Sequence, residues 1–283
     1  MERSARRWYV AATALGWAIA GTAVAGEERQ LVDALNHYRA QPQRCGQQAS
    51  LALPPLAPEP RLQLPAQGSG ALNAELAGTG YPMVTARAIS LSGPRDAQAA
   101  LAAITSAYCQ VVLDPQFVDI GVTQAGRDWR IVLARPLLTA RLGSAEAEGR
   151  KLLDQLNEAR AQPRQCGAQA FAATAPLEWD TALASAAQAH SRDMANHNYF
   201  DHADPSGALP GDRAELAGYA GREVAENIAA GQDTPARVLQ GWLASPAHCA
   251  NLMSPRLKAM GAAYATDPKS DAGIYWTALF GAP

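Results

Sequence analysis

One segment of this chain occurs twice, and this internal repeat limits the folds that the sequence can adopt. LVDALNHYRAQPQRCGQQA at 31–49 recurs as LLDQLNEARAQPRQCGAQA at 152–170, with twelve of nineteen positions identical. AGRDWRIVLARP at 125–136 and AGIYWTALFGAP at 272–283 are a second similar pair, which closes the two copies. The sequence therefore predicts two related units in tandem rather than one large domain.

The first 25 residues have the composition of a secretory signal peptide. Arg3, Arg6 and Arg7 precede an apolar run over 8–20, and the small residues at 23–25 form a cleavage site. The apolar run is shorter than the roughly 20 residues that a membrane span needs. We therefore predict an exported protein, periplasmic or secreted, with no transmembrane segment in the mature chain.

The four cysteines follow the repeat, since each copy has one early and one late cysteine. Export permits disulfides, and the repeat favours the pairs Cys45–Cys109 and Cys166–Cys249. Each bridge closes a long loop, which in the chain-entropy account stabilises the fold by about 4–5 kcal/mol. The predicted organisation is a signal peptide at 1–25, a first domain at 26–140, a linker at 141–149 and a second domain at 150–283.

The apolar periodicity and the turn residues predict an α+β fold with layered helices and antiparallel strands. Asp180 is a predicted N-cap, and Thr234 caps a further helix with Pro235 at its first position. The prolines in 51–69 and the polar residues in 201–213 predict loops. Helices are expected near 27–40, 95–108, 145–161, 181–196 and from 235, and strands near 119–123, 129–133, 259–266 and 273–281.

The charge of the chain excludes one class of partner. Removing residues 1–25 takes away three arginines and one glutamate, which moves the formal net charge from −2 to −4. The sequence has no run of basic residues and no basic-aromatic patch. Nucleic acid is therefore not an expected partner.

The five histidines differ in their predicted surroundings. His37 and His197 occupy positions expected to face solvent on helices, and His190 lies on the predicted core face of its helix. His202 and His248 are different, because each lies at a predicted helix end where the surrounding packing fixes the backbone. These last two are the candidates for a functional role.

A glutamate between these two histidines is the third candidate. Glu226 lies in the apolar stretch VAENIA, and a buried glutamate needs a partner. His202, His248 and Glu226 have the residue types of a three-ligand zinc site with an open position, although no HExxH motif is present. A Ser245–His248–Glu226 triad is a weaker alternative, because Ser245 is not on a nucleophile elbow.

The second copy resembles the CAP superfamily of cysteine-rich secretory, venom antigen and pathogenesis-related proteins, and is most similar to its bacterial SCP-type branch. The resemblance covers essentially all of 150–283. It rests on ordered motifs: Leu152, Asn157 and Arg160 before Cys166-Gly167, then PLEW at 176–179, His190-Ser191, Phe200-Asp201-His202, Asp212-Arg213, AENIA at 225–229, WLASPAHCAN at 242–251, Gly261 and Tyr275-Trp276.

This resemblance implies an α-β-α sandwich with a cleft containing His202, His248 and Glu226. In some members of the family such a cleft binds zinc or another divalent cation. Ser245 stands where the animal proteins have a second acidic residue. The first copy resembles a degenerate CAP domain, with Tyr108 in place of His248, Arg87-Ala88 near the position of Glu226-Asn227, and no counterpart of His202.

Three functions remain open from the sequence. The resemblance favours a binding module over an enzyme, with a lipid, an envelope glycan or a protein as its partner. A metal-assisted peptidase or amidase is the alternative, with His202 and His248 as ligands and Glu226 as ligand or general base. A structural envelope protein with a vestigial cleft is the third.

Overall fold

The structure is a computed structural model that describes residues 24–68, 70–138 and 141–283. The predicted signal peptide lies outside the described residues, except for Val24 and Ala25, which begin the first helix. Within the described ranges, no helix is long and apolar enough to cross a membrane.

The N-terminal half combines short helices with a twisted sheet. Its helices are α1 (Val24–Arg39), α2 (Leu72–Thr79), α3 (Ala97–Ala107) and α4 (Cys109–Val112), with a 3-10 turn at Pro60–Leu62. Its strands are β1 (Gln43–Cys45), β2 (Gln48–Ser50), β3 (Ala57–Pro58), β4 (Met83–Ser92), β5 (Asp119–Ala125) and β6 (Asp128–Pro136).

The C-terminal half has a similar order of elements, with longer helices. Its helices are α5 (Ala145–Arg160), α6 (Thr181–His197), α7 (Pro210–Leu216), α8 (Pro235–Ala244) and α9 (Pro246–Met253). Its strands are β7 (Arg164–Cys166), β8 (Gln169–Phe171), β9 (Glu178–Trp179), β10 (Glu223–Ala230), β11 (Ala259–Thr266) and β12 (Ile274–Ala282).

Each half contains a four-stranded sheet, and the two strand orders correspond. The orders are β4-β6-β5-β3 and β10-β12-β11-β9, each with a parallel pairing only at its last, two-residue strand. A two-stranded hairpin also follows the first helix of each half, formed by β1-β2 and by β7-β8. Helices and antiparallel strands therefore form the predicted α+β fold.

Helices cover both faces of the C-terminal sheet. Along β12, Ile274, Trp276, Ala278 and Phe280 pack with α5 and α8, whereas Leu279 packs with α6. Since successive side chains of a strand point to opposite faces, this strand is buried on both sides. The C-terminal half is thus an α-β-α sandwich.

The N-terminal sheet is covered differently on its second face. Its first face packs against α1 and α3, through Leu31, Leu35 and Ile104 among others. The opposite face packs against the short helix α2 and the 3-10 turn, through Leu76 and Leu62. In the N-terminal half, the short helix α2 and the 3-10 turn therefore cover the face that the long helix α6, which carries His190, covers in the C-terminal half.

Two polar residues make the same contacts in both copies of the repeat. Asn36 and Asn157 each donate to and accept from the backbone twenty residues later, at Leu56 and Leu177 respectively. The repeat thus produces the same local geometry in both halves. In each half, the asparagine amide forms with the backbone the two hydrogen bonds that a neighbouring strand would otherwise form.

A buried arginine follows each of these asparagines. Arg39 donates to the carbonyls of Pro54, Val112, Asp114 and Phe117, and Arg160 to those of Ala175, Leu252, Ser254 and Leu257. Burial lowers the pKa of both guanidinium groups to about 10, so both remain charged at neutral pH. Each arginine ties the end of its helix to a distant chain segment.

The predicted elements are largely present, and their bounds are refined. Asp180 and Thr234 cap α6 and α8 through their side chains, and Pro246 begins a separate helix after α8. The predicted loop at 201–213 is wrong at its end, because α7 begins at Pro210. Helix α5 begins inside the predicted linker 141–149. Strands β4 and β10 were not predicted, because neither alternates regularly between polar and apolar residues.

The two halves contact each other through both polar and apolar groups. Arg237 pairs with the buried carboxylate of Asp119, which also accepts from Tyr81 Oη at 2.6 Å. Arg135 donates to the carbonyl of Ser270 at 3.0 Å. Leu51 of the N-terminal half packs into an apolar cluster of the C-terminal half.

Candidate functional site

The candidate residues meet at an edge of the C-terminal sheet. Strand β10 is the outermost strand of that sheet, and it carries Glu226. His202 lies in the segment after α6, on one side of this strand, and His248 lies in α9. The edge strand therefore brings together residues that are up to 46 positions apart in the sequence.

Glu226 is buried, and both of its carboxylate oxygens are paired. Oε1 is 2.7 Å from His202 Nδ1, and Oε2 accepts from Arg213 Nη2 at 2.8 Å. The side chain of Glu226 is 1% exposed, that of Arg213 is 9% exposed and that of His202 is 38% exposed. The carboxylate thus orients the imidazole of His202, which is the member of the group that reaches solvent.

His190 approaches the same carboxylate from α6. Its Nε2 lies 3.9 Å from Glu226 Oε1 and donates to the carbonyl of Asp201 at 3.0 Å. Burial lowers the pKa of His190, and the negative charge of Glu226 opposes that effect. The predicted core position of His190 is thus confirmed by its burial, and the residue also supports the segment that carries His202.

His248 is held next to β10 by its backbone. Asn227 Nδ2 donates to the carbonyl of His248 at 3.2 Å, and Asn251 donates to Asn227 Oδ1 at 2.9 Å. The ring is buried, and within the described part of the chain its Nδ1 has no hydrogen-bond partner. Burial, assisted by the charge of His202, lowers the pKa of His248 to about 4. The ring is therefore neutral at neutral pH.

This low pKa makes a testable prediction about acid stability. An unfolded histidine binds a proton near pH 6.5, whereas native His248 stays neutral down to about pH 4. The unfolded state therefore gains protons first, so His248 costs on the order of 3 kcal/mol of stability as the pH falls from about 6.5 to about 4. We expect His248→Gln to reduce this loss, as measured by urea unfolding across that window.

The exposed His37 on α1 provides the control for this experiment. His37→Gln replaces a histidine far from the group around Glu226, so it should leave the acid-dependent loss of stability as in the wild-type protein. Parallel stability curves for wild type and His248→Gln would contradict the assignment of the acid sensitivity to His248.

The serine triad that the sequence left open is not assembled. Ser245 lies at the N-terminus of α9 with its hydroxyl buried, and among the described residues Ser245 Oγ has no hydrogen-bond partner. Nucleophilic catalysis requires the hydroxyl and its base within hydrogen-bond reach. Ser245 and His248 do not meet this requirement here.

The site also fits a three-ligand metal centre poorly. The guanidinium of Arg213 donates to Glu226 Oε2, and the ring of His202 contacts Oε1. A metal cation at this carboxylate would therefore compete with the positive charge of Arg213. Across residues 24–68, 70–138 and 141–283, no group of three or more His, Cys, Asp or Glu side chains is arranged to hold a metal ion. We therefore derive no metal-dependent step from this arrangement.

Arg213 is the site residue whose role sequence reasoning missed. The predicted site contained only histidines beside Glu226, although a buried carboxylate is equally well paired by arginine. Arg213 also donates to the carbonyls of Ala208 and His202. The signal was present in the Asp212-Arg213 pair, but only the folded chain brings α7 against β10.

The matching edge of the N-terminal sheet has a different composition. In the C-terminal sheet, Glu226 pairs with Leu279, which is three residues after Trp276 in β12. In the N-terminal sheet, Val132 is three residues after Trp129 in β6, and it pairs with Ala88. Ala88, rather than Arg87, thus takes the place of the glutamate. Tyr108 precedes Cys109 where His248 precedes Cys249. The assignment of this half as a degenerate CAP domain stays a prediction.

Both disulfides expected from the repeat are present in the structure. Cys45 bonds to Cys109, and Cys166 bonds to Cys249. The second bridge joins β7 to α9, one residue after His248. It therefore anchors the helix that carries one of the three candidate residues.

Comparison with known proteins gives a family match and two similar proteins of one organism. Residues 153–280 match the sequence model of the cysteine-rich secretory protein family, CAP. The chain is 36% identical over 105 residues to the uncharacterized protein YkwD of Bacillus subtilis, and 41% identical over 75 residues to the uncharacterized membrane protein YlbC of the same organism. These matches cover 37% and 26% of this chain, and 39% and 21% of those proteins, so the chain spans less than half the length of either relative.

Solved structures give similar matches. One is an extracellular protein containing an SCP domain from Bacillus anthracis, with 22% identity and a TM-score of 0.42 over 56% of this chain and 53% of that one. Another is an outer surface protein from Borrelia burgdorferi, with 20% identity and a TM-score of 0.40 over 48% of this chain and 93% of that one.

Proposed function

We propose that the protein is an exported binding module that acts at the cell envelope or outside the cell, because residues 153–280 match the sequence model of the CAP family. The cleft around His202 is its recognition site, and the ligand is an envelope component.

The pairing of Glu226 is the observation that supports binding. Both oxygens of this buried carboxylate are used to hold His202 and Arg213, so the carboxylate serves as a support for its neighbours. What it presents to solvent is the oriented ring of His202. A fixed, partly exposed imidazole beside a neutral buried histidine is suited to hydrogen-bonded recognition of a polar ligand.

The alternative of metal-assisted hydrolysis receives less support from the same contacts. Such chemistry needs metal ligands with an open coordination position or a free general base. The guanidinium of Arg213 occupies one oxygen of the only acidic candidate, and His202 occupies the other. We therefore favour ligand recognition over hydrolysis as the function of this cleft.

Capture of a purified envelope glycan tests this proposal. We expect the mature chain to co-sediment with purified peptidoglycan, and His202→Ala to lose at least about tenfold in affinity, as expected for one well-placed hydrogen bond worth about 1.4 kcal/mol. His197→Ala is the matched control, because its exposed ring lies outside the cleft. Equal capture by His202→Ala and wild type would refute a role of the cleft in binding.

A further inference from the structure

A cavity of about 310 Å³ lies where the two halves meet, with Asp201, the residue before His202, in its lining. The N-terminal half contributes the hairpin β1-β2 and the segment around α4, and the C-terminal half contributes the segment after α6. The residues that line it are Cys45, Gln48, Ala49, Ser50, Leu51, Leu53, Gln110, Leu113, Pro115, Phe200 and Asp201. Pockets of a few hundred Å³ at domain junctions have the usual size and place of small-molecule sites.

The floor of this cavity is apolar. Leu53 and Leu113 are buried, and they form one cluster with the disulfide sulfur of Cys45. Phe200 of the C-terminal half packs against the same cluster. A ligand that fills the floor therefore needs an apolar chain, because a polar group there would lose its hydration without a partner.

The rim of the cavity is polar and carries one charge. Gln48, Gln110 and Ser50 offer amide and hydroxyl groups, and Asp201 is the one lining residue with an ionisable side chain. Asp201 Oδ1 accepts from the amide of Ala203 at 3.0 Å, so one oxygen is already used to shape the local turn. With a carboxylate and no cation in its lining, the rim favours a positively charged group.

We propose that this junction cavity binds a small amphiphile in which a protonated primary amine terminates an apolar chain. The chain lies on Leu53, Leu113 and Phe200, and the ammonium group pairs with Asp201. None of its lining residues is His202, Glu226, Arg213 or His248, so its ligand contacts differ from those of the proposed function.

Three eight-carbon probes test the chemistry of the proposed ligand. Octylammonium, octanol and octanoate share one apolar chain and differ in the charge of the end group. Calorimetry with the mature chain should give the order octylammonium, then octanol, then octanoate. We expect the ammonium probe to bind about tenfold or more tightly than the carboxylate, because only the ammonium is attracted by Asp201.

Two tryptophan variants test its location. Ala49 is exposed on β2 and lines the cavity, so Ala49→Trp should fill it and abolish binding of octylammonium. Ala170 is exposed at the matching place on β8, outside this cavity, so Ala170→Trp should bind like wild type. Asp201→Asn keeps an acceptor for Ala203 and should remove the preference for ammonium over octanol.

The outcomes separate this proposal from its alternatives. Absence of saturable binding, equal binding of octanoate and octylammonium, or undiminished binding by Ala49→Trp would each overturn it. The unfolding midpoint of each variant, measured alongside, shows whether it is folded; if Ala49→Trp is not, Asp201→Asn still decides the charge preference. Glycan capture by His202 can fail while this site binds, so the two proposals are judged separately.

Discussion

Glu226→Ala should lower the free energy of unfolding by about 3–5 kcal/mol, because it leaves the guanidinium of Arg213 buried without a counter-charge. The side chain of Arg213 is 9% exposed, and Glu226 Oε2 is its carboxylate partner at 2.8 Å. Guanidinium chloride unfolding of wild type and variant measures the difference. The variant should also lose the fixed orientation of His202, which is bonded to the other oxygen.

The double variant Glu226→Leu/Arg213→Met distinguishes a buried charge from lost packing. Replacing both partners of a buried pair by apolar residues is often neutral, so this variant should recover most of the stability. The exposed pair Glu146–Arg150 is the matched control, and Glu146→Ala should cost no more than about 1 kcal/mol. A loss below about 1 kcal/mol for Glu226→Ala would show that Arg213 regains water in the variant.

Arg160→Ala should destabilise the protein by about 4 kcal/mol or more, because four backbone carbonyls lose their charged donor at once. Arg160 is fully buried and reaches Ala175, Leu252, Ser254 and Leu257. The last three follow or end α9, the helix that carries His248. Denaturant unfolding measures the loss, and the glycan assay shows whether the cleft is affected.

Two further variants show what this arginine contributes. Arg160→Lys should recover less than half of the loss, since one ammonium group lacks the planar fork of donors that reaches several carbonyls. Arg39→Ala removes the equivalent residue of the N-terminal half and should be similarly destabilising, because Arg39 makes the same kind of contacts there. A destabilisation under about 1 kcal/mol by Arg160→Ala would mean that water satisfies the carbonyls.

The repeat explains why so much of the fold follows from the sequence. Identical residues at a constant spacing predict identical local structure, and Asn36 with Asn157 and Arg39 with Arg160 make the same contacts. Each half also has one early and one late cysteine, and these pair within each half as the repeat predicts. Helix caps such as Asp180 are also local, since the cap and the amide that it binds are three residues apart.

The edge strands and the cover of the N-terminal sheet were harder to predict. Strand β10 has few of the alternating polar residues that mark a half-buried strand, because its last five residues are all buried. Nothing in the composition of 51–81 shows that a 3-10 turn and α2 replace a long helix on one face. Which element covers that face depends on the apolar surface that the rest of the N-terminal sheet leaves exposed, and this surface is formed by residues distant in the sequence.

The α+β fold, the disulfide pairing and the candidates His202, Glu226 and His248 could all be predicted from the sequence, whereas the tandem of two related domains stays a prediction. The pairing of Arg213 with Glu226 and the burial of His248 as a neutral ring became visible only in the folded chain. The fold also placed Phe200 and Asp201 in a cavity at the junction of the two halves. Local pattern reports caps, turns and periodicity, whereas the partner of a buried charge depends on which distant elements the packing brings together.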